Sequence, residues 1–498
     1  MITTKEPTPD YDVIICGLGP VGATLANLLG LSGISTLVIE REKSAYQLPR
    51  AVHLDDEIMR IFQTIGIADE FVQETFVNLG MKFIGSDGKM LMDWPRPQEV
   101  GRHGWHASYR FHQPDLERIL RKKLSQYGHV HVWDECEVTD AVETNEYVKV
   151  RCKHVATSKT SSVTAKYIVG CDGANSLIKS LIDPAMEDFG FEERWLVVDV
   201  ILNQPKPELG DHTIQYCNPQ RPATYCRSPG MRRRWEIAVL EGEKSEDITK
   251  SKAVWGLLQN WITPDEAVLE RQAVYTFRSA LAQKWRKGRL LIAGDAAHLT
   301  PPFMGQGMCA GIRDTYNLAW KLAMICNGLA EDHILDSYQS ERHSHVKKYI
   351  ETAVRLGGLI NSLGTEDALK SAFTQPNGSV KMESICPPLG NGLGQDSDPL
   401  RGVMFPQPCL TNGQLLDHKI GYHSCILSKN NVTPSNLPAD VQYLSCENEP
   451  AIEQSLDDLN IYAAFIRPDR YILQTAKSHD ELHLLIAAAQ QKINWQEK

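Results

Sequence analysis

The chain has 498 residues, of which 42% are hydrophobic and 23% charged, and its formal net charge is −10 at pH 7. A chain of this length exceeds what one hydrophobic core usually organises, so we expect two or three domains. The acidic balance disfavours nucleic acid or an anionic membrane surface as the main partner. No apolar run approaches the roughly 20 residues of a membrane-spanning helix, and the polar start MITTKEPTPDYD lacks the apolar stretch of a signal peptide, so we expect a cytoplasmic protein.

Twelve cysteines are scattered along the chain, and no two of them form a CxxC pair. This spacing predicts neither a zinc knuckle nor a thioredoxin-type redox site. We therefore expect buried free thiols, and no group of residues predicts a bound metal ion.

The first forty residues predict a strand, a glycine-rich turn, a helix and a second strand. YDVIIC (11–16) is a short apolar run, GLGPVG follows it, GATLANLLGLSG has a helical pattern, and STLVIE (35–40) is again strand-like. Together they form a βαβ unit of about the expected 30 residues. A charged helical stretch follows at 113–127, and KYIVGC (166–171) predicts another buried strand.

The pattern changes between about 186 and 285, where strand-like pieces are separated by Pro and Gly. This predicts an antiparallel sheet inserted into an α/β frame. GRLLIAGDAAH returns to the buried-strand pattern, and an amphipathic helix follows at about 308–327. We therefore predict a discontinuous α/β domain (1–75, 109–185 and 286–373), a β-sheet domain (76–108 and 186–285), a linker rich in Pro, Gly and Ser (374–400) and a small C-terminal domain (401–498).

The turn after the first predicted strand has the pattern Gly17-x-Gly19-x-x-Gly22, and Glu40 ends the second strand. Gly17 permits the tight turn, Gly19 lets the backbone approach a pyrophosphate, and Gly22 lets helix and strand pack closely. The free N–H groups at the helix start favour a phosphate, and Glu40 is able to accept hydrogen bonds from an adenosine ribose. This segment predicts a dinucleotide site, and by itself it leaves both NAD and FAD open.

A second segment separates the two cofactors. Gly294 and Asp295 follow a predicted strand, and the loop LTPPFMGQG then leads into a helix that begins near Gly307 or Met308. A carboxylate at Asp295 would hold a ribityl hydroxyl, which only a flavin possesses. The loop and the helix start would offer N–H groups to the edge of reduced flavin where negative charge collects. The alternative is that Asp295 only caps a turn, but beside the dinucleotide pattern a flavin site is the better interpretation.

The third segment is YIVGCDGANSLIKS, with Asp172 and Gly173 just after a strand. The three segments in this order resemble the para-hydroxybenzoate hydroxylase superfamily of FAD-dependent monooxygenases. RAVHLDDEIMRIF, YCNPQRPATY, RRRWE, GDAAHLTPPFMGQGMCAGIRD and IRPDRYI resemble the 3-(3-hydroxyphenyl)propionate hydroxylase branch most closely, and the likeness covers nearly the whole chain.

The resemblance implies roles for individual residues. Glu40 would bind the adenosine ribose and Asp295 the ribityl chain, and Arg50 and Gln113 would contact FAD near its phosphates. Pro302 and the residues from Gly305 onward would line the flavin ring. The predicted FAD-binding residues are Gly17, Gly19, Pro20, Gly22, Glu40, Arg41, Arg50, Gln113, Asp172, Gly173, Gly294, Asp295, Gly305, Gly307 and Met308.

Two departures from the family pattern affect the site. The third segment normally ends in Arg, and Lys179 takes its position here, which keeps the charge but not the bidentate fork. Phenol hydroxylases of the superfamily carry an active-site Asp where this chain has AVH. His53 is the nearest titratable residue and is a candidate catalytic residue, but a histidine that only packs against the flavin is at least as good an interpretation. Pro302, in the loop that would line the flavin ring, is the other candidate.

Some further residues have simpler interpretations. Arg232, Arg233 and Arg234 could hold an anionic substrate, but alternate side chains of a strand face opposite ways, so at most two point to one side, and a structural role is favoured. We expect His298 to anchor the turn after Asp295, and Asp314 to serve helix packing and loop anchoring.

The resemblance implies a Rossmann-like FAD-binding domain of the glutathione-reductase type, an inserted antiparallel substrate domain and a thioredoxin-like C-terminal domain without CxxC. It also implies tightly bound, non-covalent FAD, NADH or NADPH as co-substrate, and O₂. A flavin C4a-hydroperoxide would then hydroxylate a small phenolic compound ortho or para to a ring hydroxyl.

Three alternatives remain at this point. A flavin halogenase would carry WxWxIP, whereas this chain reads RRRWEIAV. An NAD(P)-dependent dehydrogenase would leave the Asp295 segment unexplained. A flavoprotein without enzymatic activity would act as a binding partner through its C-terminal domain. The aromatic substrate, the choice between NADH and NADPH, and the choice between monomer and homodimer stay open.

Overall fold

A computed structural model describes residues 8–45, 50–362, 385–431, 437–438 and 440–493 of the chain. Within these ranges the strands form two eight-stranded sheets, a four-stranded sheet and a three-stranded sheet. The structure is therefore a mixed α/β fold with several sheets, as predicted.

The first sheet contains the predicted βαβ unit. Its strands are β1 (Tyr11–Cys16), β2 (Thr36–Ile39), β8 (Val130–Trp133), β9 (Cys136–Glu143), β10 (Val148–His154), β11 (Thr160–Gly170), β17 (Arg286–Lys287) and β18 (Leu290–Ile292). Five of them are parallel, in the order β18-β11-β1-β2-β8, and β17 pairs antiparallel with β18. β9 and β10 extend β11 as antiparallel strands. The short apolar runs seen in the sequence suit this sheet, because β1 and β2 are almost entirely buried.

The helices beside this sheet agree with the sequence pattern except at their ends. α1 (Pro20–Leu31) packs against α4 (Gln113–Leu124) and α8 (Gly307–Cys326). α1 begins two residues before the predicted helical stretch, because the fixed φ of proline suits the first helical position. α4 ends three residues before the predicted end at 127.

The second sheet is the predicted antiparallel one. Its order is β19-β16-β12-β15-β14-β13-β5-β6, and only β13 and β5 pair in parallel. The strands are β5 (Gly80–Gly85), β6 (Met90–Pro95), β12 (Met186–Leu202), β13 (Thr213–Cys217), β14 (Ala223–Arg227), β15 (Arg232–Ala238), β16 (Ala267–Ala282) and β19 (His298–Leu299).

The two faces of this sheet have different surroundings. One face packs on α7 (Ser251–Leu258) and forms a separate core around Trp235 and Ile237. Arg234 and Glu236 alternate with these residues on β15 and line a large cavity instead. The period of two along a strand therefore brings polar side chains to the cavity while the apolar ones build the core.

A three-stranded sheet links the two larger sheets. β3 (His53–Asp55), β4 (Phe76–Val77) and β7 (Ser108–Arg110) pair antiparallel in the order β3-β7-β4. This sheet holds His53 opposite Arg110.

The C-terminal part forms its own four-stranded sheet. Its strands are β20 (Ser424–Ser428), β21 (Val441–Ser445), β22 (Ala463–Ile466) and β23 (Ile472–Ala476), in the order β21-β20-β22-β23. β20 and β21 are parallel, whereas β22 is antiparallel to both β20 and β23. Apolar residues of this sheet and of α11 (Pro450–Asp458) form a core that includes Leu427, Ile452 and Ile466.

The remaining helices are short, apart from α9. They are α2 (Asp56–Ile65), α3 (Ala68–Phe71), α5 (Leu177–Ile182), α6 (Ser245–Ile248), α9 (Asp336–Ser362), α10 (Leu416–Ile420) and α12 (Leu482–Ile493). Single turns of 3₁₀ helix lie at Val72–Glu74, Pro207–Leu209, Gly294–Ala296, Pro302–Met304 and Asp332–Leu335. In the ranges that the structure describes, no helix has both the length and the apolar character needed to cross a membrane.

All twelve cysteines are free thiols, as predicted. Most are buried or half-buried, but Cys386 and Cys409 are exposed. The expectation of burial is therefore wrong for these two residues, which lie in irregular segments rather than in apolar strands or helices. Part of the predicted linker, 374–384, lies outside the described residues. Its remainder is held against α9, where Gly390 N donates to Glu341 O at 2.8 Å.

Candidate functional site

A cavity of about 810 Å³ lies between the first sheet and the second. Its first-sheet side consists of the turn at 19–21, the segments 50–52 and 173–175, and the loops 299–302 and 305–308. Strands β12, β15 and β16 form the opposite wall. The predicted residues that line this cavity are Gly19, Pro20, Arg50, Gln113, Gly173, Asp295, Pro302, Gly305, Gly307 and Met308.

The glycine-rich turn has the backbone that its sequence predicts. Gly17 has a φ of +98°, and a Cβ there would lie 2.6 Å from Cys171 O. A Cβ on Gly22 would lie 2.0 Å from Gly17 O, so both positions require glycine for packing. Gly19 differs, because a Cβ there would have no neighbour within 4 Å. The open space at Gly19 belongs to the cavity and would let a ligand approach the backbone.

Two helices point their N-termini at this cavity. α1 begins at Pro20 and α8 at Gly307, and both residues line the cavity. Among the described residues, no side chain caps either helix, and neither helix has an acidic residue in its first turn. The unsatisfied N–H groups and the helix dipoles therefore favour negative charge at both places.

Glu40 is buried beside the turn and does not line the cavity. Its Oε2 accepts a hydrogen bond from Leu18 N at 2.7 Å, and its Oε1 accepts one from Glu42 N at 2.9 Å. A carboxylate has about four acceptor sites, so two remain for a ribose. Arg41 is exposed and pairs with Glu42 at 3.2 Å, which keeps its side chain away from the cavity.

Asp295 presents an exposed side chain at the cavity surface. The turn that carries it is held by Asp314, whose Oδ2 accepts from Gly294 N at 3.1 Å and pairs with His298 Nε2 at 2.6 Å. Asp314 Oδ1 accepts from Arg342 Nε at 2.9 Å. Burial alone would raise the pKa of Asp314, but His298 and Arg342 hold it below its usual value, so the anchor is ionised. The predicted anchoring roles of His298 and Asp314 are confirmed.

The loop between Asp295 and α8 reaches the cavity through Pro302 and Gly305. Gly305 has a φ of +63°, and a Cβ there would lie 2.8 Å from the Cβ of His53. Gln306 is held on both sides, since its Nε2 donates to Asp55 Oδ2 at 3.1 Å and its Oε1 accepts from Arg313 Nη1 at 3.0 Å. These contacts give the start of α8 a defined position.

His53 packs beneath this loop and does not line the large cavity. Its Nε2 lies 2.8 Å from Ser108 Oγ, and its Nδ1 lies 3.4 Å from Gly305 O. Burial and the nearby Arg110 lower the pKa of His53. The ring lines a separate cavity of about 220 Å³, together with Arg96 and Asp56.

Arg50 and Gln113 both line the large cavity, and they are bound to each other. Gln113 Oε1 accepts from Ala51 N at 2.8 Å and from Arg50 N at 3.2 Å. Gln113 Nε2 donates to Glu117 Oε1 at 2.7 Å. The side-chain amide of Gln113 therefore holds the main chain of the segment that carries Arg50.

Asp172 shapes the third segment from behind the cavity. Its Oδ2 accepts from Leu177 N at 2.8 Å, whereas Gly173, with a φ of +79°, lines the cavity. Lys179 also lines the cavity and donates to Ala174 O. Six of the predicted FAD-binding residues are not on the cavity surface, because they pack, cap the turns or face solvent: Gly17, Gly22, Glu40, Arg41, Asp172 and Gly294.

The opposite wall carries a buried group of charges that the sequence analysis did not assign. Arg234 donates to both oxygens of Asp199, at 2.7 and 3.2 Å, and Arg271 Nε lies 2.9 Å from Asp199 Oδ2. Glu236 Oε1 lies 3.7 Å from Arg234 Nη1. One arginine of the RRR run thus faces the cavity, within the predicted limit of two. The alternation along RRRWE could have indicated that Glu236 faces the same side as Arg234. Nothing in the sequence, however, indicates that this pair lies beside Asp199 and Arg271.

The chain is similar to known proteins in sequence and in fold. A family described as "FAD binding domain" matches residues 10–353. A "Probable NADH-specific resorcinol 4-hydroxylase" of Rhodococcus jostii is 39% identical over 405 residues, which are 80% of this chain and 74% of the relative. A "3-(3-hydroxy-phenyl)propionate/3-hydroxycinnamic acid hydroxylase" of Mycolicibacterium smegmatis is 37% identical over 355 residues, or 70% of this chain and 61% of that protein. The chain thus spans less than two thirds of the length of some of its relatives.

Solved structures share the fold over nearly the full length. The flavin-dependent monooxygenase PieE, solved with FAD and substrate, superposes with a TM-score of 0.84 at 18% identity and covers 98% of this chain and 100% of its own. OxyS anhydrotetracycline hydroxylase from Streptomyces rimosus has a TM-score of 0.77 at 22% identity, with 97% and 99% covered. The predicted resemblance to FAD-dependent aromatic hydroxylases and the predicted FAD cofactor are confirmed at the level of the family.

Proposed function

The chain belongs to the family of the FAD binding domain, and from this premise we propose that it is a single-component monooxygenase that hydroxylates a small phenolic compound with O₂ and NADH. The observation that carries the proposal is the large cavity, which has features for a flavin nucleotide on one wall and a polar sheet on the other. The names of the curated relatives, resorcinol and hydroxyphenylpropionate hydroxylases, support the choice of a phenol.

Several features of the first-sheet wall support FAD binding. The α1 N-terminus and the open space at Gly19 would take the pyrophosphate, and Glu40 would accept from the adenosine ribose. Asp295 would bind the ribityl chain, and the uncapped start of α8 would face the electron-rich edge of the flavin ring. Arg50 would add positive charge near the phosphates.

When bound, FAD would supply the activation of O₂ for insertion of one oxygen atom into the ring, with NADH as the source of electrons. The protein's part is to hold the phenol against the flavin, to exclude water, and to accept the proton that the ring hydroxyl loses. A ring with a hydroxyl ortho or para to the attacked carbon is the expected substrate, since the oxygen lone pair raises the nucleophilicity of these positions.

We propose a positioning role for His53 and a lining role for Pro302. The buried imidazole of His53 lies between Ser108 and Gly305, so its contacts favour a role in holding the loop that carries Gly305. Its lowered pKa makes it a weaker base, which argues against proton transfer by this residue. Pro302 lines the large cavity at the start of the loop and would contact the ring system.

The domain assignments support the same function. The five parallel strands with α1 agree with a Rossmann-like FAD domain, and the second sheet agrees with a substrate domain. The C-terminal order β21-β20-β22-β23, with one parallel pair and one hairpin, agrees with a thioredoxin-like domain. We propose that this domain is structural, because its cysteines have no CxxC spacing.

The test is turnover by the purified, FAD-loaded protein with NADH under ¹⁸O₂. We expect NADH oxidation to rise when a phenol or resorcinol is added, and the product to gain one labelled oxygen ortho or para to the existing hydroxyl. NADH without a phenol is the control for uncoupled oxidation. Label that arrives from water, or a product without a new oxygen, would contradict the monooxygenase and support a flavin dehydrogenase.

A further inference from the structure

The second-sheet wall of the cavity contains a carboxylate whose bonding is incomplete. Glu236 lines the cavity, and its side chain is 17% exposed there. Among the described residues, Glu236 forms one salt bridge, in which its Oε1 lies 3.7 Å from Arg234 Nη1, too far for a hydrogen bond. No hydrogen bond to the Glu236 carboxyl group occurs among the residues that the structure describes. A hydrogen bond from a ligand that enters the cavity would therefore stabilise this carboxylate.

The arginines of β15 and β16 that line the cavity are already paired. Arg234 and Arg271 share Asp199, and Arg234 also donates to Arg50 O at 2.7 Å. The two positive and two negative charges of Arg234, Arg271, Asp199 and Glu236 sum to zero. Arg110 also acts electrostatically on Glu236, but it does not line the cavity. Because Asp199 is buried between the arginines, Glu236 is the group of this set that presents acceptor atoms to the cavity.

We propose that Glu236 binds the ring hydroxyl of the substrate and accepts its proton, and that this wall selects phenols without a carboxylate side chain. The inference rests on the proposed function and specifies its substrate class. A resorcinol-type ring offers O–H donors to Glu236, whereas a hydroxyphenyl acid would bring a second negative charge into a wall whose arginines are paired.

The proton transfer balances with the proposed reaction. The phenol O–H bond breaks, its electron pair stays on the phenol oxygen, and the proton goes to a carboxylate oxygen of Glu236. The O–H becomes more acidic as the ring carbon gives electrons to the incoming oxygen, so the transfer accompanies that step. The oxidant is the O₂ and the reductant the NADH of the proposed function. Burial raises the pKa of Glu236, against the effect of Arg234, and this brings it closer to that of a phenol.

The first test measures ligand binding to the oxidised, FAD-loaded enzyme through the change in flavin absorption. We expect Glu236→Gln to retain FAD but to bind resorcinol roughly 10–100-fold more weakly, as for the loss of a hydrogen bond to a charged group. Glu270→Gln is the matched control, because Glu270 is also 17% exposed, pairs with Arg232 at 3.1 Å and does not line the cavity. Unchanged resorcinol affinity in FAD-loaded Glu236→Gln would overturn the proposal.

A second measurement needs no variant, so it holds even when Glu236→Gln does not fold. The wild-type enzyme should bind resorcinol at least roughly tenfold more tightly than 3-(3-hydroxyphenyl)propionate. A preference for the acid would overturn the inference about this wall but leave the monooxygenase in place. An FAD-loaded enzyme that neither binds nor hydroxylates any phenol would instead overturn the proposed function.

Discussion

Asp295 is the single carboxylate on which the flavin assignment depends most. It is exposed at the cavity surface, and the turn around it is held independently by Asp314. The side chain of Asp295 is therefore available to a ligand without being needed for the turn. Glu236 on the opposite wall is also available to a ligand. Within the described part of the chain, neither carboxylate accepts a hydrogen bond.

We predict that Asp295→Asn weakens FAD binding roughly 10–100-fold, the cost of a hydrogen bond to a charged group. The measurement is the flavin content of the purified protein, followed by titration of the apoprotein with FAD. Asp265→Asn, an exposed aspartate away from the cavity, serves as the control. Full FAD occupancy and unchanged affinity in Asp295→Asn would count against the ribityl role.

In the turn between β1 and α1, two glycines have different surroundings, so we expect one to be needed for packing and the other for ligand binding. Gly22 has backbone directly against it, whereas Gly19 has open space, although both belong to the same six-residue pattern. Steric contact explains the glycine at position 22, and we attribute the glycine at position 19 to the approach of a ligand.

Alanine at the two positions should therefore have different effects. Gly22→Ala should lower the free energy of unfolding of the apoprotein by about 1–3 kcal/mol, because the new methyl group overpacks the turn. Gly19→Ala, at the N-cap of α1, should change it by at most about 1 kcal/mol, but should weaken FAD binding by roughly tenfold or more. Denaturant unfolding of the apoprotein and FAD titration measure the two effects. Equal loss of stability in both variants would refute this division of roles.

The C-terminal sheet is joined to the rest of the molecule by buried charge. Arg60 of α2 donates to both oxygens of Asp417, at 2.6 and 2.9 Å, and Arg470 Nε lies 3.2 Å from Asp417. A second buried group joins Glu341 of α9 to Arg467 at 2.8 Å. These contacts support a structural role for this part of the chain.

Removing one member of such a group should destabilise the whole molecule. We predict that Asp417→Ala lowers the free energy of unfolding by about 3–5 kcal/mol, since it leaves two buried arginines without their carboxylate. Glu70→Ala is the comparison, because it breaks an exposed pair with Lys122 and should cost at most about 1 kcal/mol. Thermal or denaturant unfolding measures the stability of both variants. Similar losses of unfolding free energy in the two would argue against a buried, desolvated interface at Asp417.

Local patterns were enough to predict the class of fold and the cofactor. The glycines of the first turn, the buried runs of β1, β11 and β18 and the alternation of β12 to β16 depend on sterics and periodicity within a few residues. The residues after these strands then meet at one edge of the sheet, because the strands are parallel. For this reason ten of the predicted residues line one cavity.

The opposite wall could not be predicted in the same way. Asp199, Arg234 and Arg271 lie on three strands, and their contact depends on the register of β12 with β15 and β16. The position of His53 depends on the pairing of β3 with β7 and on the loop at Gly305, about 250 residues away in the chain. The sequence by itself determined the first-sheet side of the cavity, because its determinants are local. The tertiary structure alone decided which charges face the cavity, because strand register and the packing of the sheets bring together residues that no short pattern connects.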